Sequence, residues 1–167
     1  MKSRFEKISR DRFEKDWVEL FGTAPDDDVY DNIVIPRRAT KFSCGYDFFS
    51  PIDIVLGPGE TVTILTGIRA LMHPNQFLML APRSGLGFKY RIQLDNTVGH
   101  IDADYPQSDN EGHICAKITN DSKDFRTVHI KVGDAFMQGV LKTYCTMDEE
   151  EVPTKERNGG FGSTDNR

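Results

Sequence analysis

The chain has 167 residues, 38% of them hydrophobic and 28% charged, which is enough for one folded domain with its own core and too apolar for a disordered polymer. A formal net charge of -5 and a pI near 5.4 exclude a broad basic surface for a nucleic-acid backbone, so any phosphate-binding groups must be local. Cys44, Cys115 and Cys145 fall outside any CxxC or Cys/His ligand spacing and read as buried free thiols of a reducing cytoplasm, and no stretch approaches membrane-spanning length.

The charged start MKSRFEKISRDRFEKDW is neither a signal peptide nor an anchor. From Lys2 to about Gly22, Phe5, Ile8, Phe13, Trp17, Leu20 and Phe21 recur at roughly helical spacing and predict one amphipathic helix. Gly22, Pro25 and the run Asp26, Asp27, Asp28 break it, and a short turn or loop leads to Pro36.

Beyond Pro36 the pattern changes to short β-branched and apolar runs: Ile52 to Leu56, Thr61 to Thr66, Phe77 to Leu80, Cys115 to Thr119, Thr127 to Val132 and Phe136 to Tyr144. Such spacing predicts an all-β sandwich or barrel, with turns at Pro58-Gly59 and Asp121-Ser122. An acidic stretch, Asp148 to Glu151, precedes a glycine-rich end that is expected to be a tail.

Four segments carry candidate chemistry: CGYD (44–47), PRSGLG (82–87), DNTVGHIDADY (95–105) and ERNGGFGST (156–164). In the second, Arg83 offers a donor fork, Ser84 a hydroxyl and Gly85 an amide open to close approach, a plausible phosphate cradle or simply a turn. In the last, Phe161 among three glycines could stack on a base while Arg157, Ser163 and Thr164 grip phosphate oxygens, or the segment could be an inert tail. Asp102 and Asp104 are expected to face opposite sides of the chain and to have different jobs. A calcium loop counted from Asp102 fails, with Gln107 at the position that needs glycine and His113 at the twelfth. His73, His100, His113 and His129 lack zinc-enzyme spacing and read as surface or packing residues; no GxSxG elbow or GxxxxGK[ST] loop occurs.

Taken in order, these segments resemble the five motifs of the trimeric deoxyuridine triphosphatase family, covering the chain from about Cys44 to Thr164. The matches are Gly45, Tyr46 and Asp47; Arg83, Ser84 and Gly85; Asn96, Val98, Gly99, Ile101, Asp102, Asp104 and Tyr105; Gly133, Asp134 and Gln138; and Arg157 with residues 159–164. The extended N-terminus resembles members from low-GC Gram-positive bacteria and their phages.

The resemblance implies a mainly β fold, a dUTPase-like β-barrel or jelly roll, with an added N-terminal helical segment (1–35), a barrel domain (36–147) and a flexible glycine-rich tail or lid (148–167). It implies a cytoplasmic dUTP diphosphatase that works with Mg2+ as a homotrimer with shared sites, binding neither nucleic acid nor membrane. Asp102 would hold the attacking water and Tyr105 would lie against the deoxyribose, excluding a 2'-hydroxyl. Asn96, Gly99 and Ile101 would read uracil in the hairpin of the third motif. Arg83, Ser84, Gly85 and Gln138 would hold the phosphates. Arg157, Phe161, Gly162, Ser163 and Thr164 would close the site, and Asp47 would support the magnesium through water. A related dCTP deaminase fits less well, because it needs a glutamate base where this chain reads IDADY; a non-catalytic binding protein would have lost Asp102 or the tail. Departures from the common pattern include the longer loop Pro106 to Glu111 and Ala135 where many members carry arginine.

Overall fold

Antiparallel strands dominate the computed structural model, which describes residues 2–148 together with Glu151, Pro153, Thr154 and Arg157. β2 (Gly45–Phe49), β11 (Ala135–Thr143), β6 (Gln76–Pro82) and β8 (Gly99–Asp102) pair in that order as a four-stranded sheet. β4 (Thr61–Leu65), β9 (Cys115–Asn120) and β7 (Ile92–Leu94) form a second, while β3 (Ile54–Leu56) pairs with β10 (Val128–Ile130) and β1 (Arg4–Lys7) with β5 (Ile68–Leu71). This is the mainly β architecture the residue pattern predicts.

The reason is visible strand by strand. β3 buries Ile54 and Leu56 and exposes Val55, and β10 opposite buries Val128 and Ile130 and exposes His129. That alternation is what a half-buried strand requires. Phe48, Ile64, Leu78, Ile118 and Phe136 come from five strands into one core cluster. The predicted Pro58-Gly59 turn is closed by the Glu60 N–H donating to the Gly57 carbonyl at 3.1 Å.

The N-terminus departs from the predicted single helix. Arg4–Lys7 is extended, and Glu6 accepts from the Arg69 guanidinium across the β1–β5 pair at 2.8 Å. Helical spacing of Phe5 and Ile8 arises by coincidence: Phe5 packs edge-on against Tyr46 and Phe48, with ring centroids 5.3 and 5.5 Å away. The helix α1 spans Arg10–Phe21. Ser9 caps it by accepting the Arg12 N–H at 3.1 Å, and Gly22 ends it with φ of 76°. A second helix, α2 (Ser84–Tyr90), stands where a turn was expected; Gly85 and Gly87 hide it from any propensity reading.

One further expectation changes and one holds. Cys44 and Cys145 are exposed and Cys115 is partly buried, so the three thiols are not a buried set. Among the described residues no helix is long and apolar enough to cross a membrane.

α1 docks through Phe13, fully buried with its ring 5.7 Å from both Trp17 and Tyr30, and through a polar pair: Asp16 Oδ2 lies 2.6 Å from Nδ1 of the fully buried His113. His113 Nε2 accepts the Gly67 N–H at 2.9 Å, so the ring is neutral and its proton sits on Nδ1, facing Asp16. Burial raises the Asp16 carboxyl, but hydrogen bonds from His113 and Arg12 outweigh it and hold the group below its ordinary 3.8. A depressed carboxylate contributes stability that is complete above its unfolded value and lost as pH falls through the lower folded one. Emission from Trp17, the sole tryptophan, should therefore stay constant from pH 7 to about pH 5 and shift as α1 loosens below about pH 4. In Asp16→Ala the shifted spectrum should appear already at neutral pH. A wild-type spectrum that never moves in acid would mean this pair does not hold the helix.

Candidate active site

Strand pairing places one group of predicted residues together. Gln138 on β11 stands directly opposite Asp47 on β2, and directly opposite Ala81 on β6. Directly paired residues share a face of the sheet, so the side chains of Asp47 and Gln138 emerge side by side. At the end of β6 the chain turns into α2, which brings Arg83 Nε to 3.2 Å from Asp47 Oδ1. Gln138 Nε2 donates to the Pro82 carbonyl at 3.4 Å. A side chain at Gly45 would put its Cβ 2.5 Å from Gln138 Oε1, so glycine there is what lets Gln138 lie across the strand.

The result is a cavity of about 290 Å³ lined by Asp47, Arg83, Ser84, Gln138 and the 43–45 segment. Gly85, in the first turn of α2, has nothing within 4 Å of where a Cβ would stand, so its backbone is open to a ligand. Ser43 and exposed Cys44 also line the cavity, a role no spacing in the sequence announces. Chemically the cavity offers one guanidinium, one carboxylate, hydroxyls and an amide, which suits an anionic chain with a hydrated cation.

A second group forms around β8. Its residues alternate cleanly: Gly99 and Ile101 are buried, His100 and Asp102 exposed. Asp102 Oδ2 lies 3.2 Å from Arg157 Nη2, and Asp104 Oδ1 lies 3.3 Å from Arg157 Nη1. The two acids thus converge on one guanidinium and do not oppose each other. The strand ends at Asp102 and the turn at 103–104, with Asp104 at φ of -89° and ψ of -4°, brings the second acid to the same guanidinium, which corrects the expected division. The same guanidinium lies over the Tyr105 ring, 5.4 Å from its centroid. Tyr105 is buried; burial pushes its hydroxyl up to about 12, against a smaller opposing pull from the Asn110 hydrogen bond. At neutral pH the phenol is a protonated hydrogen-bonding group and no acid or base.

The third motif is not a hydrogen-bonded hairpin of its flanking strands. β7 pairs with β9 and β8 with β6, so the tight turn at 95–98 carries the chain from one sheet to another. Asn96 is exposed in that turn, and its carbonyl accepts the Val98 N–H at 2.7 Å. Ile101 buries its side chain in the core, so any part it plays with a base falls to its backbone. Of the predicted tail residues, Arg157 is placed as described, while Phe161, Gly162, Ser163 and Thr164 lie outside the described residues. His73, His100 and His129 are exposed and His113 is packed in the interior, in line with the expected surface or packing roles.

One chain keeps the two groups apart. β2 and β8 are the opposite edges of the four-stranded sheet, and Asp102 pairs with Phe77, four residues along β6 from the Asp47–Gln138–Ala81 row. Three strand spacings and four residue rises put Asp102 and Asp47 roughly 20 Å apart. The even offset leaves both on the same face, with half-buried Met79, Ala81 and Val140 between them.

A sequence model of the dUTPase family matches residues 31–165. The deoxyuridine 5'-triphosphate nucleotidohydrolase of Lactococcus lactis is 39% identical over 134 residues, covering 79% of this chain and 88% of its own length. That of Neisseria meningitidis serogroup A is 37% identical over 136 residues, covering 78% and 87%. The dUTPase of Streptococcus mutans has a fold matching with a TM-score of 0.65 at 30% identity, over 87% of this chain and 98% of that one. A mutant dUTPase from phage phi11 of Staphylococcus aureus, whose structure details a coordinated structural Mg(II) ion, shares the fold with a TM-score of 0.63 at 22% identity, over 91% of this chain and 97% of that one. With its motifs in order, its strands in this arrangement and relatives that match over most of their own length, the chain belongs to the dUTPase family.

Proposed function

We propose that this chain hydrolyses dUTP to dUMP and pyrophosphate, with Asp102 activating the water, in sites shared between subunits of a homotrimer. The position of Asp102 carries the reading: a solvent-facing carboxylate at a sheet edge, close in chain to buried Tyr105, on the same face as the distant Asp47, Arg83 and Gln138 group. Asp102 accepts a proton from water as the oxygen attacks the α-phosphorus; the bond to the bridging oxygen breaks and pyrophosphate departs. The Tyr105 ring bounds the deoxyribose, and the backbone around Asn96, Gly99 and Ile101 reads the uracil edge.

Arg83, Ser84, Gly85 and Gln138 hold the phosphates. Arg157, which pairs with Asp102 and Asp104 in the chain alone, transfers to phosphate oxygens when substrate arrives and so releases Asp102 to the water. Phe161, Gly162, Ser163 and Thr164 belong to the same closing segment. Exposed Cys44 and Cys145 thiols suit a reducing cytoplasm.

Magnesium fits this donor set. Among the described residues no group of three or more His, Cys, Asp or Glu could cage a metal, but an ion that keeps its waters and takes phosphate oxygens needs only one carboxylate, and Asp47 beside Ser84 and Gln138 supplies it. When bound, the ion offsets triphosphate charge that a chain of net charge -5 cannot.

Four outcomes test this geometry. With magnesium present, dUTP should yield pyrophosphate while dCTP yields no ammonia and dTTP little product; Asp102→Asn should bind a non-hydrolysable dUTP analogue normally yet lose about 10² to 10⁴ in kcat. Near-normal turnover in that variant would remove Asp102 as the base. Mixed and reassembled trimers of Asp102→Asn and Arg83→Ala chains, each inactive alone, should regain about a quarter of wild-type activity, because a quarter of shared sites draw an intact residue from each parent. No regain would place the whole site within one chain. Removing residues 156–167 should cut kcat/KM by about 100-fold or more while the melting temperature holds, as expected of a closing segment; full activity in the truncated enzyme would refute that role.

A further inference from the structure

The loop from Pro106 to His113 follows Tyr105 directly, and its contacts tie the sugar-facing ring to the N-terminal helix. The Tyr105 hydroxyl donates to the His113 carbonyl at 3.1 Å and accepts from Asn110 Nδ2 at 2.9 Å. Asn110 is itself fixed, its side-chain oxygen accepting the Gly112 N–H at 3.1 Å and its carbonyl the His113 N–H at 3.0 Å. Gly112 has φ of 75°, and a Cβ there would fall 2.6 Å from Pro106 Cα, so the loop folds back tightly on the residue next to Tyr105.

What holds this loop in place comes largely from α1. His113 is clamped between Asp16 Oδ2 at 2.6 Å and the Gly67 N–H at 2.9 Å. Arg12 pairs with Asp16 and donates to the Asp109 carbonyl at 3.3 Å. The Ser9 N–H and hydroxyl both donate to Glu111, at 2.9 and 2.6 Å. Three residues at the start and middle of the helix thus grip three residues of the loop.

We infer that Asn110 and Asp16 are positioning residues for sugar selection: Asn110 holds the Tyr105 hydroxyl directly, and Asp16 on the N-terminal helix holds it through His113. This rests on the reading that Tyr105 bounds the deoxyribose. Excluding a hydroxyl requires a wall that does not yield, and a tyrosine anchored at its far end cannot tilt to admit one. The added helix and the lengthened loop then act as one brace behind that wall.

The test is the ratio of kcat/KM for dUTP to that for UTP, measured by pyrophosphate release on the full-length enzyme with melting curves alongside. Asn110→Ala and Asp16→Ala should each lower the ratio about tenfold, mostly by raising turnover of UTP. Asp16→Asn keeps an oxygen to accept the His113 proton and should restore the ratio. Tyr105→Phe retains the ring and loses the anchor, so it should match Asn110→Ala, and the double variant should show no further loss. Tyr105→Ala tests the underlying reading and should lower the ratio most.

An unchanged ratio in Asn110→Ala and Tyr105→Phe, with a fall in Tyr105→Ala, overturns the brace and leaves the sugar-wall reading standing. An unchanged ratio in Tyr105→Ala removes both. A fall in Asn110→Ala without one in a folded Asp16→Ala overturns the helix's part; should Asp16→Ala not fold, Arg12→Ala, which removes the helix's bonds to Asp16 and to the Asp109 carbonyl, takes its place, and an unchanged ratio there overturns the helix's part.

Discussion

Register in the four-stranded sheet is the constraint on which the site depends. β8 offers only four residues, and its alternation sends Ile101 into the core and Asp102 to solvent. A slip of one residue would exchange them. It would leave an isoleucine in water and a carboxylate in the apolar interior, where an unpaired charge is far more costly than the lost apolar burial. The same logic holds at the other edge, where Met137 and Phe48 are buried while Asp47 and Gln138 look outward. Hydrophobic burial thereby positions the chemical groups without making any contact with them. A bulge between Ala135 and Met137 absorbs the local irregularity before the Asp47–Gln138 row begins.

How much of this was legible in the sequence depends on how local each determinant is. The period-two runs from Ile54 onward announce themselves, and β3, β4, β6, β9, β10 and β11 fall within or close to the predicted segments. β1 does not, because RFEK owes its extended form to β5, more than sixty residues away, and to the Glu6–Arg69 pair across it. α2 is hidden by its glycines. The candidate segments name Asp102, Tyr105 and Arg83, the family resemblance adds Gln138, and the structure brings Arg83 and Gln138 to one cavity with Asp47. Nothing in the sequence could bring Asp16 to His113, 97 positions away, or show that Asp102 and Asp104 share one guanidinium. Ala135 is a similar case. Directly across from it stands Phe49, whose ring carries the Arg37 guanidinium at 5.3 Å, so this end of the sheet has a cation even without an arginine at 135.

Distance between the two polar groups follows from topology and bears on assembly. Asp47 and Asp102 sit at opposite edges of one sheet, so no side-chain motion within a chain can bring both to one phosphate chain. The ground between them, Met79, Ala81 and Val140, is half-buried and apolar, which is poor surface to leave facing water. A second copy laid over this face would cover the apolar strip and bring its own cavity toward the first chain's Asp102. Site formation and subunit contact would then be one event.

Electrostatics gives that event a direction. An acidic chain must bind a more acidic substrate, and each arginine available for the task is already paired: Arg83 with Asp47, Arg157 with Asp102 and Asp104. These pairs are partly exposed, with Arg83 at 43% and Asp102 at 58% side-chain exposure, so each contributes little to folding. They are nonetheless useful, because they hold the guanidinium groups extended and near the place where phosphate oxygens would lie. A triphosphate offers denser charge and bidentate geometry, so on the proposed reading the guanidinium groups would move from carboxylate to phosphate at small expense in free energy. For Arg157 the exchange has a chemical consequence, since the carboxylate it leaves is the one assigned to the water. On that proposal, substrate binding and activation of the base would be the same displacement, and the acid would stay masked by its own chain until there is a phosphorus to attack.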